Sequence, residues 1–306
     1  MAQVVKARLK RAIADLVQQA IDLHVHIGPE VIPRAYTAAT LAASQQGKLA
    51  GAVVKNHFYP TAFGAVQADA ADFRIIPGLV LNRFVGGLNP DAVWATSLIA
   101  NGPFVVWLPT VHAERFLRAN TYEIAPEWVA DAAITCRKSS SINPVRITSD
   151  GKLLPAARRV IQAIAQADAV LATGHIAWQE TELVAHYAQQ CGVRAVIVTH
   201  PIYQHIAMPI HVQQQLAAAG CYMEQCASMY RMDGILLDAI VGQIRAIGSQ
   251  HVILSSDVGQ SFSPSPSDAL REYCLELASR SITLAELQIM LVDNPRKILG
   301  LPAKMS

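Results

Sequence analysis

The 306-residue sequence is poor in charge and in cysteine. Charged residues make up only 16% of it, and 25 basic against 23 acidic residues give a net charge of +2. This balance provides neither the basic field that nucleic-acid binding needs nor a polybasic membrane signal. The five cysteines are scattered and form no CxxC pair, which supports neither a thiolate zinc site nor a disulfide framework. We therefore expect a protein of the reducing cytoplasm.

Long hydrophobic runs are also missing. No stretch approaches about 18 uncharged apolar residues, so a membrane span is not expected. The first 20 residues are basic and have apolar positions at helical spacing, which predicts an amphipathic surface helix and not a signal peptide. Hydrophobic residues still make up 52% of the chain, enough for a large core. No linker or repeat divides it, so we predict a single domain over 1–306 with its core at about 21–301.

Eight short apolar runs, rich in β-branched residues, alternate along most of the chain with segments typical of helices. They span residues 21–27, 51–58, 74–82, 104–110, 169–175, 194–200, 221–227 and 251–257. Strands that alternate with helices indicate right-handed βαβ units and a parallel sheet. Eight such units predict an α/β fold that closes into a single (β/α)8 barrel of the TIM type. The segment 111–168 is too long for a simple loop and predicts an elaborated region after the fourth strand, with helices and a small hairpin.

Polar side chains stand at the ends of five predicted strands, where a parallel barrel gathers its chemistry. Alternation places two histidines on one face of the first strand, and a lysine and a histidine on one face of the second. Each histidine taken alone fits a hydrogen-bonded core or surface residue, but five such strand ends together need a common explanation. A bound divalent metal compensates the lost hydration of these groups, and Zn²⁺ suits them, as would Mn²⁺, Fe²⁺ or Ni²⁺. The residues are His24, His26, Lys55, His57, His175, His200 and Asp257.

Further residues near the predicted strand ends are candidates for contact with a substrate. Arg34 and Arg83 could each hold a substrate carboxylate bidentately or pair with an acid of a loop. His112 follows the fourth strand and fits either substrate contact or the surface, whereas Tyr203 lies just beyond His200 and could wall a pocket. Because the chain has no separate recognition domain, we expect a small-molecule substrate.

The order of these residues resembles the amidohydrolase superfamily of metal-dependent hydrolases, whose fold is a metal-bearing (β/α)8 barrel. The matching residues are the HxH of DLHVHIG, the histidines of ATGHIAWQET and VTHPIYQ, and the aspartate of LSSDVGQ. They fall in order on predicted strands one, five, six and eight. The closing NPRKILGLP is also similar to the terminal segment of these hydrolases, in which the last helix seals the barrel.

The resemblance implies a role for each matching residue. His24 and His26 would bind one metal ion together with Asp257, which would also take a proton from the attacking water. His175 and His200 would bind a second ion, or would hold and polarise the substrate if only one ion is present. The catalytic candidates are therefore Asp257 and His200.

One departure from the superfamily's pattern concerns the number of metal ions. Many two-metal members carry a bridging carboxylated lysine, or a glutamate, at the end of strand four, where this chain reads FVVWLPT. Lys55, Glu114 and Glu224 are conceivable substitutes, although none matches the position. We favour Lys55 and His57 as a ligand pair or a substrate-orienting pair, and Glu224 fits a bridge or a salt bridge equally well. One or two ions per chain both remain open.

Three functions are consistent with these residues. The leading hypothesis is a metal-dependent hydrolase that cleaves a C–N or C–O bond in a small amide, cyclic amide, lactone or ester. The alternative keeps the barrel and one metal but acts as a decarboxylase or hydratase, since enzymes of that kind resemble this superfamily and lack the bridging lysine. A non-catalytic metal-binding barrel is the third. A homo-oligomer is compatible with all three.

Overall fold

The computed structural model of the chain describes residues 2–68, 72–129, 131 and 134–302. Each of the eight predicted runs contains a strand, the third run contains two, and a short hairpin adds two more. The strands are β1 (Ile21–His26), β2 (Gly51–Lys55), β3 (Arg74–Ile76), β4 (Gly78–Val80), β5 (Val105–Trp107), β6 (Thr148–Ser149), β7 (Lys152–Leu153), β8 (Val170–Ala172), β9 (Val196–Val198), β10 (Tyr222–Cys226) and β11 (Val252–Ser255).

The main strands pair in parallel, as the sequence predicts, but their hydrogen-bonded ladder is not continuous. One sheet has the order β1-β2-β3 and the other the order β11-β10-β9-β8-β5-β4. The predicted third strand is split at Pro77, so that β3 pairs with β2 whereas β4 pairs with β5. Proline has no N–H to donate, which accounts for an interruption at this point. A closed eight-stranded ladder is therefore not found within the described part of the chain.

The other ends of the two sheets meet beside β1 and β11. Val25 and Val258 form a parallel bridge, and the backbone N–H of His26 donates to the carbonyl of Val258 (2.8 Å). The N–H of Asp257 donates to the carbonyl of His24 (2.9 Å). These bonds fix the chain just after β11 against β1. As a result, an aspartate from the end of the chain lies beside two histidines from its beginning.

The strands are packed between two buried apolar cores. A smaller core contains Leu23, Val53 and Trp107, and a larger one contains Val25 and Val54 together with residues of the surrounding helices. The helices are α1 (Ala2–Gln19), α2 (Ala38–Gln45), α3 (Ala62–Val66), α4 (Pro90–Ala100), α5 (Glu114–Ala119), α6 (Pro155–Gln166), α7 (Trp178–Cys191), α8 (Ile210–Ala218), α9 (Ala227–Arg231), α10 (Leu237–Ile247), α11 (Pro266–Ser279), α12 (Leu284–Gln288) and α13 (Asn294–Ile298). Within the described ranges, none of them is both long and apolar enough to cross a membrane.

An irregularity in β1 decides where its histidines point. Strict alternation would place Leu23 and Val25 on the same face, yet they belong to different cores. Between Asp22 and Val25 the strand advances three residues while β2 advances only from Ala52 to Val54, so β1 holds one extra residue. Such bulges re-aim side chains and are frequent next to active sites. Here the bulge keeps Leu23 in the smaller core and also turns His24 towards Trp107 of that core. The ring of His26 lies 5.3 Å from that of His24.

The long segment between β5 and β8 carries α5, two short 3₁₀ helices (Pro126–Trp128 and Ser139–Ser141) and the β6–β7 hairpin. In the hairpin turn, Asp150 and Gly151 have positive φ angles of 51° and 70°, the conformation that favours an Asp-Gly pair. The part around Trp128 extends over the carboxyl ends of the strands, where it lines a cavity.

Candidate metal and active site

His24, His26 and Asp257 form a buried cluster at the junction of β1 and β11. The Nε2 atoms of His26 and His24 lie 3.0 and 3.2 Å from the same oxygen, Oδ1 of Asp257. One donor atom from each of the three residues lies within 4.8 Å of the other two. Two imidazole nitrogens and a carboxylate are typical ligands of Zn²⁺ and related ions.

A second set of donor atoms lies behind the first and shares a residue with it. It consists of His24, His200, Glu224 and Cys226, all buried, again with one donor atom each within 4.8 Å of the others. Oε1 of Glu224 lies 3.2 Å from Nδ1 of His24, and Oε2 lies 3.7 Å from Nδ1 of His200. The first set therefore lies at Nε2 of His24, next to Asp257, and the second set lies at Nδ1, next to Glu224.

Lys55 enters this cluster from β2. Its Nζ lies 2.9 Å from Nε2 of His24 and 5.3 Å from the ring centroid of Trp107. Burial lowers the pKa of Lys55, although the nearby Asp257 and Glu224 oppose the shift. Trp107 ends β5, the fourth predicted strand, so an indole and neither a lysine nor a glutamate stands at that strand end. The structure thus places Lys55, and not a residue of the fourth predicted strand, at the centre.

His57 and His175 flank the cluster without joining either donor set. The ring of His57 lies 4.9 Å from that of His26, and its Nδ1 lies 2.9 Å from Oγ1 of Thr110. The ring of His175 lies 5.9 Å from that of His200. Among the described residues, the groups of donor atoms close enough to share an ion include neither of the two. Both face the adjoining cavity instead.

The protonation states of the cluster suit a cation. Burial lowers the pKa of His200 to about 4 and those of His26 and His175 well below 6.5, so these imidazoles are neutral at neutral pH. Burial by itself would raise the pKa of Asp257, but His24 and the hydrogen bond from His26 outweigh it and hold that pKa well below 3.8. Metal ligation requires these forms, a neutral imidazole and an ionised carboxylate.

Several buried nitrogens of the cluster also lack hydrogen bonds. Nδ1 of His26, His175 and His200 has no partner within the described ranges. Buried polar atoms are nearly always paired, so these nitrogens mark places that a ligand or water can fill. The donor types, and the spacing of the Nε2 and carboxylate atoms, fit a divalent metal ion.

A cavity of about 580 Å³ opens above the cluster. Its floor includes the side chains that follow the strands, namely His26, Lys55, His57, His175, His200 and Asp257. Its walls include Phe116, Tyr122, Trp128 and Tyr203. This volume lies within the range of about 300 to 1,000 Å³ that is usual for small-molecule sites.

Two of the four candidate substrate contacts line this cavity. Arg34 lines it with a side chain only 2% exposed, and its Nε donates to Oε2 of Glu30. Tyr203 lies with its ring 5.8 Å from that of His175. The side chains of Arg34 and Tyr203 can therefore contact a molecule bound in the cavity.

Arg83 and His112 do not line the cavity as the described residues define it. The strand end is taken by Asn82, whose Nδ2 donates to the carbonyl of His57 (3.1 Å), so the next residue, Arg83, is exposed. His112 is buried, and its Nε2 lies 2.5 Å from Oε1 of Glu123. The prediction of substrate contact is not supported for these two residues.

Several residues near the site were not among the predicted ones. The hydroxyl of Ser228 donates to Oδ2 of Asp257 (2.7 Å), and Glu30 pairs with Arg34. Cys226 could have been found, because it follows Glu224 by two residues on a predicted strand and therefore shares its face. Ser228 lies beyond that strand, where periodicity carries no information.

Comparisons with known proteins agree on the fold. A family model described as "Family of unknown function (DUF6282)" matches residues 19–224. No curated protein matches the chain. An amidohydrolase from Pseudomonas aeruginosa is similar in structure, with a TM-score of 0.61, 10% identity and coverage of 95% of this chain and 98% of that one.

Two further solved structures have the same kind of fold. The probable dipeptidase PvdM from Pseudomonas aeruginosa has a TM-score of 0.63 and 12% identity, with 96% of this chain and 98% of that one covered. Dihydroorotase from Saccharomyces cerevisiae, in complex with 5-fluoroorotic acid, has a TM-score of 0.58 and 11% identity, with 94% and 85% covered. The resemblance to the amidohydrolase superfamily is thereby confirmed for the fold.

Proposed function

This chain belongs to the family of unknown function DUF6282, and we propose that it is a metal-dependent hydrolase. Its substrate is a small amide, cyclic amide, lactone or ester, in which it cleaves a C–N or C–O bond. The observation that carries this proposal is the shared contact of Asp257 Oδ1 with the Nε2 atoms of His24 and His26, where Asp257 and His26 also line a cavity. The fold likeness to hydrolases is consistent with it.

His24, His26 and Asp257 would hold the ion, most readily Zn²⁺. A divalent ion there supplies Lewis acidity, which lowers the pKa of water towards about 7 and polarises a carbonyl. Asp257 takes the proton of the attacking water and passes it to the leaving group, as a positioned carboxylate can. The hydroxyl of Ser228 holds the other carboxylate oxygen and so keeps Asp257 oriented.

His175 and His200 would orient the substrate above the ion. Both imidazoles line the cavity, and burial lowers the pKa of each, so they meet the substrate as neutral hydrogen-bonding groups. Arg34 would bind a substrate carboxylate through the part of its guanidinium group that does not contact Glu30. The substrate would then be a small carboxylic acid.

A second candidate function is a decarboxylase or hydratase with one metal ion. It is favoured by Trp107, which lies 5.6 Å from His24 between ring centroids and takes the strand end where a bridging lysine or glutamate would project. Because the two donor sets share His24, one ion per chain is the simplest occupancy. A single ion is compatible with hydrolysis and with lyase chemistry alike.

The test begins with elemental analysis of protein purified without chelators. We expect about one transition-metal ion per chain, and absence of stoichiometric metal would overturn the proposal. Zinc-loaded protein is then incubated with small amides, lactones and carboxylic acids in H₂¹⁸O. Hydrolysis yields a carboxylic acid that carries ¹⁸O, either beside a second fragment or, from a ring, as a single opened product. Decarboxylation instead yields CO₂ and a product that takes its new hydrogen from solvent.

The carboxylate contact is tested with a matched pair of arginines. For any substrate found, Arg34→Lys should raise KM more for the free acid than for its methyl ester. Arg83→Lys, which changes an exposed arginine outside the cavity, should leave both values unchanged. Equal KM values for wild type and Arg34→Lys would contradict this role of Arg34.

A further inference from the structure

We infer that Glu224 is a positioning residue, which faces the neighbouring His200 and holds the ring of His24 so that it presents Nε2 to the cation beside Asp257. This inference rests on the proposed metal-dependent function. It assigns a role to a buried carboxylate on β10 that the mechanism above does not use.

Glu224 lies behind the two imidazole rings. It is 1% exposed, and its two oxygens lie 3.2 and 3.3 Å from Nδ1 of His24. Oε2 is also 3.7 Å from Nδ1 of His200, a nitrogen that has no hydrogen bond in the described part of the chain. The two rings are stacked, with centroids 5.0 Å apart and an interplanar angle of 20°. A single carboxylate therefore faces the same nitrogen of both rings.

Asp257 lies on the opposite side of the same rings. Nε2 of His24 is 3.2 Å from Oδ1 of Asp257, and Nε2 of His200 is 3.6 Å from Oδ2. A neutral imidazole has one N–H and one lone pair. Once Nδ1–H of His24 donates to Glu224, Nε2 carries the lone pair, on the side of the ring where Asp257 and Nζ of Lys55 (2.9 Å) lie. Metal-binding histidines usually donate their other N–H to such an outer carboxylate, which fixes the tautomer.

The competing arrangement makes Glu224 itself a metal ligand, together with His24, His200 and Cys226. In that arrangement His24 would bind the ion through Nδ1 and could not donate from it to Glu224. His26, His200 and Asp257 line the cavity, whereas Glu224 and Cys226 are not among the described residues that do so. An ion held by Glu224 and Cys226 would thus lie behind the floor, away from a substrate. The geometry favours the positioning role.

The experiment uses two matched variants, Glu224→Gln and Cys226→Ser. These residues lie two apart on one face of β10, and both are fully buried. Affinity for Co²⁺ is measured by chelator competition and the absorption spectrum is recorded. We expect Glu224→Gln to weaken Co²⁺ binding by about 10- to 100-fold, the usual effect of losing an outer carboxylate. Cys226→Ser should leave both the affinity and the spectrum unchanged.

Tautomers provide a readout that does not depend on the stability of a variant. In ¹⁵N-histidine-labelled wild-type protein loaded with Zn²⁺, His24 should carry its proton on Nδ1, with the signal assigned by its loss in His24→Gln. In Glu224→Gln that Nδ1–H signal should shift or broaden. Thermal melting of the metal-free variants shows whether each is folded.

Two results would overturn the inference while leaving the proposed function intact. One is a sulfur-to-cobalt charge-transfer band that disappears in Cys226→Ser together with a loss of affinity, which would make the second donor set the metal site. The other is a Glu224→Gln protein with unchanged affinity and an unchanged His24 tautomer. Wild-type protein that binds neither Co²⁺ nor Zn²⁺ would instead overturn the proposed function, and this inference with it.

Discussion

The molecule contains two clusters of histidine and carboxylate near the same cavity, and they differ in the groups that surround the carboxylate. The roof cluster consists of Glu123, His112 and Arg137. Arg137 donates from Nε and Nη2 to the two oxygens of Glu123, at 2.8 and 2.6 Å, and Nε2 of His112 lies 2.5 Å from Oε1. The remaining nitrogen of His112 accepts from the backbone N–H of Arg83 (3.1 Å). A guanidinium that stays protonated thus balances the charge of Glu123 within the roof cluster.

The central cluster, made of His24, His26, His200 and Asp257, gathers more imidazoles around its carboxylate. The oxygens of Asp257 lie 3.0 to 3.6 Å from the Nε2 atoms of all three histidines. Both clusters combine histidine with a carboxylate, so the presence of these residue types does not separate them. The comparison teaches that a carboxylate surrounded by several imidazole nitrogens, and not one paired with a guanidinium, marks the candidate metal site.

The largest effect should follow from Asp257→Asn. This change removes the negative charge that two imidazole Nε2 atoms share, and losing a direct ligand should cost more than losing an outer one. We expect the affinity for Zn²⁺ to fall by at least about 100-fold. Competition with a chromophoric chelator measures it.

Glu123→Gln is the control for that measurement, because it makes the same chemical change in the roof cluster. Zinc affinity should stay at the wild-type value. If both variants lost zinc equally, or if neither did, the distinction between the two clusters would fail.

The effect of Glu123→Gln should appear in stability instead. The change leaves His112 and Arg137 without their carboxylate, and an unsatisfied buried partner costs about 1 to 3 kcal/mol. The lower part of that range is expected, since the side chain of Arg137 is 51% exposed and can be hydrated. Urea unfolding of the metal-free protein measures the free energy of unfolding. A variant as stable as wild type would show that the roof cluster contributes nothing.

A further effect concerns the pH dependence of stability. Burial lowers the pKa of His200 from 6.5 to about 4, so the unfolded chain takes up this proton first as the pH falls. The free energy of unfolding of metal-free protein should therefore fall with decreasing pH between about 6.5 and 4, by up to about 1.4 kcal/mol per pH unit for one proton. Asp22 acts in the opposite direction, since burial raises its pKa to about 7 and the folded state binds that proton first.

The contribution of His200 is isolated by comparing slopes. His200→Gln should reduce the dependence on pH by about one proton within that window, whatever the variant's absolute stability. Urea unfolding at about pH 7.5, 6 and 5 provides both slopes. Identical slopes would mean that His200 is not held neutral by burial.

Much of the fold was predictable from the sequence because its signals are local. Eight apolar runs marked the parallel strands to within a few residues, and Asp150–Gly151 marked the hairpin turn. The prediction of a closed barrel ladder was not confirmed within the described residues. The effect of Pro77 on strand pairing depends on which strands lie on either side of it, and the sequence does not show this. The position of Arg83 outside the cavity has a similar reason. Asn82, and not Arg83, points inwards at the strand end, because its side chain donates to the distant residues His57 and Thr110.

The sequence by itself determined which donor atoms exist and on which strands they lie, since periodicity and composition are properties of short segments. The tertiary structure alone decided their grouping. The bulge in β1 set the direction of His24 and His26, and the backbone hydrogen bonds between β1 and the end of β11 brought Asp257 to them. Strand β10 placed Glu224 beside Nδ1 of His24. Residues 231 positions apart in the chain, such as His26 and Asp257, meet at 3.0 Å through long-range packing, which no local pattern records.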